Sequence, residues 1–198
     1  MDPKIENRFR KAAMSKTFSN IVRIFCLDRK ALLDIGCGFG ESLIHFGPGS
    51  VGITLVKAEI EYGQAKGLDI RYGDIEDEGF VLREKFEVIF ANNLFEHLHS
   101  PHEFLLKIKT YLKPGGILIL GVPCIPKIVL LLRFNKFRGS LAVSHINFFT
   151  RDTLVRTVRR GGWHPLTTRG FHFANKSIDH LLDPIYPHFY VAAAPLPH

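Results

Sequence analysis

The feature that most constrains this chain is the stretch LLDIGCGFGE, which runs from Leu32 to Glu41. An apolar run that stops at a glycine cluster predicts a buried strand and a sharp turn, because glycine adopts a positive φ and lets a ligand approach the backbone. The residues that follow, Ser42 to Phe46, are expected to begin a helix. A strand, a glycine turn and a helix N-terminus form the first unit of nucleotide-binding α/β folds.

The spacing of the glycines separates two kinds of cofactor site. Dinucleotide-binding turns carry the pattern G-x-G-x-x-G, and the helix amides that follow face a pyrophosphate. This chain has Gly36, Gly38 and Gly40 in the pattern G-x-G-x-G, with Asp34 two residues ahead of the first glycine. A carboxylate at the end of the strand would repel a pyrophosphate and suits a ligand with a cationic head. The alternative is an ordinary tight turn in another kind of α/β protein.

An acidic residue followed by G-x-G-x-G resembles the first motif of the class I S-adenosylmethionine (SAM) methyltransferases. SAM carries an ammonium group and a sulfonium, so the resemblance is chemical as well as textual. It implies that Asp34 orients the methionyl ammonium, directly or through water, and that Gly36, Gly38 and Gly40 let the backbone approach the cofactor. The alternative role of Asp34 is a cap on the amides of the glycine turn.

The rest of the chain alternates β-rich runs with helical stretches, as a parallel sheet with crossover helices requires. Its 198 residues are most simply one domain with a full core. A helical stretch is expected at 57–67. Helices are also expected after Ser100, which begins a Ser-Pro-x-Glu capping box, and after Thr150, which is an N-cap residue. Six more β-rich runs follow the first strand, at residues 50–56, 68–74, 85–93, 117–122, 163–173 and 188–195.

Seven strands with interleaved helices are the layout of the family that the glycine motif resembles. The expected fold class is therefore α/β: a single Rossmann-like domain with a seven-stranded, mostly parallel sheet, helices on both faces and an antiparallel last strand. The similarity covers roughly residues 30 to 192. It points to the small-molecule branch of the family, whose methyltransferase domains are classed as type 11 or type 23. The single domain of residues 1–198 is expected to comprise an N-terminal helical cap (1–29), a SAM-binding core (30–122), a lid or acceptor segment (123–148) and a C-terminal helix with the last strands (149–198).

The end of the second strand departs from the family pattern. The family usually has a carboxylate there, which accepts hydrogen bonds from both ribose hydroxyls, and this chain has Thr54. The sequence GITLVKAEIEYGQ is similar to the cyclopropane fatty acid synthase group, in which a Thr-Leu pair is followed by a ribose-binding glutamine. Glu59 occupies the place of that glutamine. The resemblance thus implies that Glu59 binds the ribose with Thr54 assisting; the alternative is a solvated helix residue.

The ends of the third and fourth strands supply further cofactor contacts by the same resemblance. Asp74 matches the acceptor for the adenine amine, and Ile75 would offer its amide and an apolar face to the ring; the alternative is a plain Gly-Asp turn. The backbone carbonyls of Asn92 and Asn93 would receive the methionyl ammonium. Enzymes that methylate nucleobase amines typically carry an Asn/Asp-Pro-Pro-aromatic motif here. The sequence ANNLFEHL lacks it, so a nucleic-acid partner is not expected.

Two histidines are candidates for catalysis. His97 is expected under the cofactor or in support of the acceptor pocket. His145 would lie in the cleft at the carboxyl ends of the strands and act as general base for an alcohol, unless it is a packed loop histidine. The stretch EHLHSPH is rich in histidine, but H-E-x-x-H is absent and a capping box explains its local geometry, so no metal site is expected.

The segment from Ile125 to Arg138 alternates apolar and basic residues over the expected methyl-donor end of the cleft. Such a segment suits a small-molecule or amphiphilic acceptor, or peripheral contact with an anionic membrane surface. The simpler alternative is a packed lid helix. The net charge of +7 does not distinguish these partners.

The remaining composition favours a cytoplasmic enzyme. The N-terminus lacks the apolar core of a signal peptide, no stretch is apolar for the 18 or so residues that span a bilayer, and the three cysteines form no CxxC pair. The leading interpretation is a SAM-dependent methyltransferase, with S-adenosylhomocysteine as product, that acts on a hydroxyl or carboxyl of a small molecule, lipid or glycan. The alternatives are an inactive methyltransferase-like module, supported by the missing second-strand carboxylate, and a nicotinamide-dependent oxidoreductase, disfavoured by Asp34 and the glycine spacing.

Overall fold

A computed structural model describes residues 2–128, 133–170 and 181–197, without the side chains of 135–137. One seven-stranded sheet organises the chain in the order β3-β2-β1-β4-β5-β7-β6. Its strands are β1 (Leu32–Ile35), β2 (Val51–Thr54), β3 (Ile70–Tyr72), β4 (Phe86–Asn92), β5 (Leu112–Pro123), β6 (Trp163–Arg169) and β7 (His188–Pro195). The α-helices are α1 (Pro3–Met14), α2 (Lys16–Phe25), α3 (Lys57–Ala65), α4 (Pro101–Lys107) and α5 (Arg151–Arg160).

The direction of the strands is the expected one. The five strands from β3 to β5 pair in parallel, whereas β7 runs antiparallel to both of its neighbours, β5 and β6. The predicted mostly parallel seven-stranded sheet with an antiparallel last strand is therefore confirmed. One consequence matters for the site: the first residue of β7 lies at the same edge of the sheet as the last residues of β1, β2 and β4.

Alternating side chains divide the sheet into two buried faces, since neighbouring residues of a strand point to opposite sides. Leu33 and Ile35 of β1 belong to the core that α4 and α5 cover. Leu32 belongs to the other core, where Phe18 of α2 meets the ring of Phe90 at 6.2 Å between centroids. Helices thus lie on both faces, as expected.

Local capping signals fix the starts of α4 and α5. The hydroxyl of Ser100 accepts from Glu103 N, and Thr150 forms a reciprocal capping box with Thr153. Both helix starts were predicted from these residues. The predicted strand at 163–173 is formed from Trp163 to Arg169, and its residues 171–173 lie outside the described part of the chain.

The helix expected after the glycine turn does not form. Only a 3₁₀ turn, Leu43–His45, follows it. The reason is the sequence Gly47-Pro48-Gly49. Gly47 N donates to Leu27 O at 2.9 Å, and a Cβ on Gly47 would lie 2.5 Å from Lys30 N. Because the chain must pass this contact and proline cannot continue a helix, too few residues remain for an α-helix.

No α-helix among the described residues is long and apolar enough to cross a bilayer.

Candidate active site

The carboxyl ends of β1, β2 and β4 open into a cleft of about 870 Å³. A second cavity, of about 420 Å³, lies against α2 and His45 and contains none of the predicted site residues. The large cleft gathers most of the residues that the sequence predicted: Asp34, Gly36, Gly38, Thr54, Glu59, Asp74, Ile75, Asn92, Asn93 and His97. Since these residues come from four separate stretches of the chain, their convergence is a property of the fold.

All three glycines of the turn have the left-handed backbone that the motif predicts, with φ of 73° at Gly36, 58° at Gly38 and 87° at Gly40. Gly36 and Gly38 line the cleft. Gly40 has another role, because a Cβ there would lie 2.5 Å from Leu68 Cδ1. Its small size packs the turn against the segment before β3, and its predicted approach to the cofactor stays a prediction.

Asp34 is a buried carboxyl that faces the cleft. It is 3% exposed, and its Oδ2 has no hydrogen-bond partner among the described residues. Burial, with a smaller contribution from the negative charge of Glu41, raises the pKa of Asp34 to about 8. A carboxyl in this position favours a cationic ligand, which would replace the lost hydration of its charged form.

Arg8 on α1 is a site residue that the sequence pattern did not reveal. Its Nε donates to Glu41 Oε1 at 2.7 Å, and its guanidinium lies 5.0 Å from the centroid of the Phe39 ring. Arg8 also lines the cleft, next to Gly38. The guanidinium is suited to a carboxylate or phosphate of a ligand. Only the fold reveals this, because Arg8 is 33 residues from its partner.

Thr54 and Glu59 are in direct contact. Thr54 Oγ1 donates to Glu59 Oε2 at 2.5 Å, and Val56 N donates to Thr54 Oγ1 at 3.3 Å. The threonine ends β2 and the glutamate lies in the first turn of α3. Glu61, by contrast, is exposed and pairs with Lys57 at 3.6 Å. The geometry thus separates two glutamates that lie only two positions apart.

Asp74 and Ile75 follow β3 at the rim of the cleft. Asp74 Oδ1 accepts from Glu76 N at 2.9 Å, which is an Asx turn, and Ile75 is buried. The turn that the sequence analysis gave as the alternative role of Asp74 is therefore present. Both residues nevertheless line the cleft, so the turn and a ligand contact are compatible.

The two candidate histidines lie at different depths. His97 lines the cleft, and His145 lies behind it, with 4.9 Å between ring centroids and a side chain that is 8% exposed. His97 Nδ1 is 3.0 Å from Ser144 O. Since a carbonyl only accepts, Nδ1 carries the proton of the neutral ring and Nε2 keeps its lone pair. The histidine with a free base on the cleft wall is therefore His97.

Glu96 is a second buried carboxyl, 1% exposed, and neither of its oxygens has a hydrogen-bond partner among the described residues. Burial raises its pKa. Its Oε1 is 3.9 Å from Nε2 of both His97 and His145, and burial lowers the pKa of His145. These three residues offer ligand atoms within 4.8 Å of one another and could hold a metal ion. Local spacing could not reveal this group, because His145 is far from the other two in sequence.

Comparison with known proteins agrees with this geometry. A family model described as a methyltransferase domain matches residues 6–168, most of the chain. The chain belongs to this methyltransferase family. The predicted resemblance to the class I SAM-dependent methyltransferases is thereby confirmed.

Two curated relatives and one solved structure show how far the similarity extends. A ubiquinone biosynthesis O-methyltransferase of Rhodopseudomonas palustris (strain TIE-1) is 30% identical over 119 residues, which cover 57% of this chain and 47% of that protein. The protein of that name from Roseobacter denitrificans is 28% identical over 156 residues, 72% of this chain and 63% of that protein. The chain thus spans about half the length of the first of these curated relatives. A SAM-dependent methyltransferase from Clostridium acetobutylicum has the same fold, with a TM-score of 0.73 at 12% identity over 98% of both chains.

The first testable consequence of this methyltransferase site concerns Asp34. If Asp34 accepts from the ammonium of SAM, its carboxyl, with a pKa raised to about 8, must first release its proton. SAM affinity should therefore rise from about pH 6 to about pH 8 while the ammonium stays protonated, with proton release on binding. Asp34→Asn should weaken binding by about tenfold to a hundredfold and remove the pH dependence.

Calorimetry in two buffers of different ionisation enthalpy measures both the affinity and the proton release. Asp34→Asn protein that binds SAM as tightly as wild type, or affinity that falls towards pH 8, would refute the role of Asp34 as the ammonium acceptor.

The second consequence concerns the ribose hydroxyls. Glu59→Ala should weaken SAM binding by about tenfold or more, because it removes a charged acceptor and leaves the Thr54 hydroxyl without its partner. Glu61→Ala is the matched control, since it changes the same residue type on the same helix but only an exposed pair with Lys57. Equal SAM affinities of the two variants would exclude Glu59 from the cofactor site.

Proposed function

We propose that this protein transfers the methyl group of SAM to a hydroxyl of a small-molecule, lipid or glycan acceptor, with S-adenosylhomocysteine as the second product. Membership of the methyltransferase family supports SAM as the donor. The names of the curated relatives favour O-methylation. The observation that carries the proposal is the cleft itself, in which Asp34, Thr54, Glu59 and Asp74 surround the glycine turn.

The chemistry needs little covalent help from the protein. The sulfonium already activates the methyl group, so the residues of this chain bind and align the reactants and exclude water. In this proposal Asp34 and the carbonyls of Asn92 and Asn93 hold the methionyl ammonium. Glu59 and Thr54 hold the ribose. Asp74 and Ile75 hold the adenine.

The proposed base is His97. The Ser144 carbonyl fixes the proton on Nδ1, so Nε2 is ready to take the proton of an acceptor hydroxyl as the oxygen attacks the methyl carbon. His145 and Glu96 lie behind it, where the Glu96 carboxyl stabilises the imidazolium that forms on His97. The ring of His145 packs edge-on against the ring of His97, with 4.9 Å between centroids, and so supports the base.

A second route for activating the acceptor is metal coordination, and one observation favours it. Glu96 is buried with no hydrogen-bond partner for either oxygen among the described residues, and two histidine nitrogens lie 3.9 Å from Oε1. A divalent cation held by Glu96, His97 and His145 would satisfy this carboxyl and lower the pKa of an acceptor hydroxyl.

A kinetic comparison tests the base. His97→Ala should lower kcat by about a hundredfold or more, the usual contribution of general base catalysis, with SAM affinity retained. His102→Ala is the control, because His102 is exposed. S-adenosylhomocysteine formation is measured on phenols, catechols and carboxylic acids, free and in detergent micelles, with and without a chelator.

The outcomes separate the two routes and the inactive alternative. Activity that survives the chelator and is lost in His97→Ala supports the base. Activity lost on chelation and restored by Mg²⁺ or Mn²⁺ supports the metal centre instead. SAM binding without turnover on any acceptor would favour the catalytically inactive module, whereas binding of NAD and not of SAM would favour an oxidoreductase.

Several apolar side chains in and after the predicted acceptor segment are exposed. In the segment from Ile125 to Arg138, Ile128 is exposed and Phe134 is 62% exposed, while Val129 to Leu132 lie outside the described residues. Beyond it, Leu141, Val143, Ile146 and Phe148 are also exposed. We propose that these side chains form one surface, which receives an amphiphilic acceptor or an anionic membrane, since exposed apolar side chains beside basic ones favour both.

Liposome sedimentation tests this surface. The protein should sediment with anionic liposomes at low salt and be released as salt rises, because the basic residues are screened. Replacing Phe134 and Val143 by serine should abolish sedimentation without lowering SAM affinity. Serine at Val81 and Leu166, which are also exposed but lie outside this surface, is the control. Sedimentation that is unchanged in the Phe134 and Val143 variant would exclude the surface.

We also propose a cytoplasmic location and no nucleic-acid substrate. The three cysteines are free, as in a reducing compartment. The end of β4 carries Asn92, Asn93 and Leu94 rather than the Asn/Asp-Pro-Pro-aromatic sequence of nucleobase amine methyltransferases.

A further inference from the structure

The last strand of the sheet brings a histidine to the active-site edge. Because β7 is antiparallel to β5, its first residue, His188, pairs with Pro123, the last residue of β5. This is the edge where β4 ends in Asn92 and Asn93. Nothing in the sequence pattern assigned a role to His188, since it lies 95 residues from the nearest of these two.

His188 holds the side chain of Asn93. Its Nε2 is 3.0 Å from Asn93 Oδ1. An amide oxygen only accepts, so the Nε2–H of His188 donates. Burial lowers the pKa of His188 to about 4, which keeps the ring neutral at ordinary pH, and the contact with Asn93 Oδ1 places its proton on Nε2. The ring of Tyr190, 4.9 Å away, is the described aromatic neighbour that helps to bury it.

Asn93 needs such a partner because its backbone is unusual. Its φ is +54°, and among the described residues only Cys26 is another non-glycine residue with a positive φ. Asparagine tolerates the left-handed conformation better than most residues, but the conformation persists only where neighbours determine it. Asn93 N donates to Gly121 O at 2.8 Å. The backbone of Asn93 is thus held by β5 and its side chain by β7.

The conformation of Asn93 controls two sides of the site. The peptide before it carries the Asn92 carbonyl, which faces the methionyl end of the cofactor in the proposed function. The residues after it enter the 3₁₀ turn Phe95–His97, which carries Glu96 and His97. A change of φ at Asn93 would therefore rotate the carbonyl and move His97 relative to it.

We propose that His188 is a positioning residue for the methyl-transfer site, which locks Asn93 in its left-handed conformation and so orients the Asn92–Asn93 backbone towards the cofactor. The inference rests on the proposed function for its effect on the cofactor. The lock itself is a property of the protein without ligand.

A set of five variants tests the lock by S-adenosylhomocysteine calorimetry. His188→Ala should weaken binding by about fivefold or more, and His188→Gln should restore most of it, because the glutamine amide offers an N–H to Asn93 Oδ1. Glycine adopts a positive φ without help, so His188→Ala should add less than about twofold in an Asn93→Gly background. His164→Ala, an exposed histidine on neighbouring β6, should bind as wild type does.

Wild type, His188→Ala, Asn93→Gly and the double variant form a double-mutant cycle, which is also measured by thermal unfolding of the ligand-free protein. The Asn93 and His188 changes should be non-additive there, since each removes one partner of the same contact. Wild-type affinity in His188→Ala, no rescue by glutamine, or an equal loss in the Asn93→Gly background would overturn the proposal. Wild-type protein that does not bind S-adenosylhomocysteine would refute the proposed function, and the unfolding cycle would then decide the lock alone: additive changes would refute it.

Discussion

The buried carboxyl of Asp34 is the group on which the rest of the cleft depends. In the sheet register it pairs with Gly52 on one side and Phe90 on the other, so it is fixed in the central strand and cannot turn to solvent. Burying an unpaired carboxylate is costly, and this cost raises the pKa of Asp34 to about 8. The surrounding turn, tied to β2 by donation from Gly36 N and Cys37 N to Ile53 O, keeps the carboxyl at the floor of the cleft.

The N-terminal helices complete a fold in which the first crossover helix is absent. Only the 3₁₀ turn Leu43–His45 lies between β1 and β2, so the sheet face beneath it needs another cover. Phe18 of α2 provides it, with ring centroids 6.0 Å from Phe46 and 6.2 Å from Phe90. The same helical pair brings Arg8 to the glycine turn. The N-terminal helices therefore both cover the core, through α2, and add a side chain to the lining of the cleft, through α1.

Local sequence was enough for most of the elements and for the helix caps. The glycine turn and the caps at Ser100 and Thr150 depend on residues a few positions apart, and spacing within one motif indicates them. The hydrogen bond between Thr54 and Glu59 also joins near neighbours, but it was found only in the structure. The helix expected at Ser42 was wrong because tertiary contact at Gly47 overrides the local pattern. Helix propensity depends on residues near Ser42 in the sequence, so it does not predict the contact of Gly47 with Leu27.

Long-range contacts in the site could not be predicted from the sequence. Three contacts show this: Arg8 with Glu41, His188 with Asn93, and His145 with Glu96. Each joins residues that are 33 or more positions apart, and only the fold brings them together. His145 shows the consequence. Its place in the chain suggested a cleft residue, but the fold sets it behind His97, because the turn after β4 occupies the cleft wall.

That turn joins the two halves of the site. At one end Asn93 is bound to β5 and β7. At the other end the carbonyl of Glu96 accepts from Ile146 N at 3.1 Å and from Asn147 N at 3.0 Å, and Ser144 O accepts from His97. The segment before α5 is therefore hydrogen-bonded to the residues that follow β4. Because these bonds fix both ends of a very short stretch, the position of His97 relative to the end of β4 is set by the backbone of residues 93–97 rather than by the freedom of a loop. In the proposed function, the same backbone would set the distance between cofactor and base.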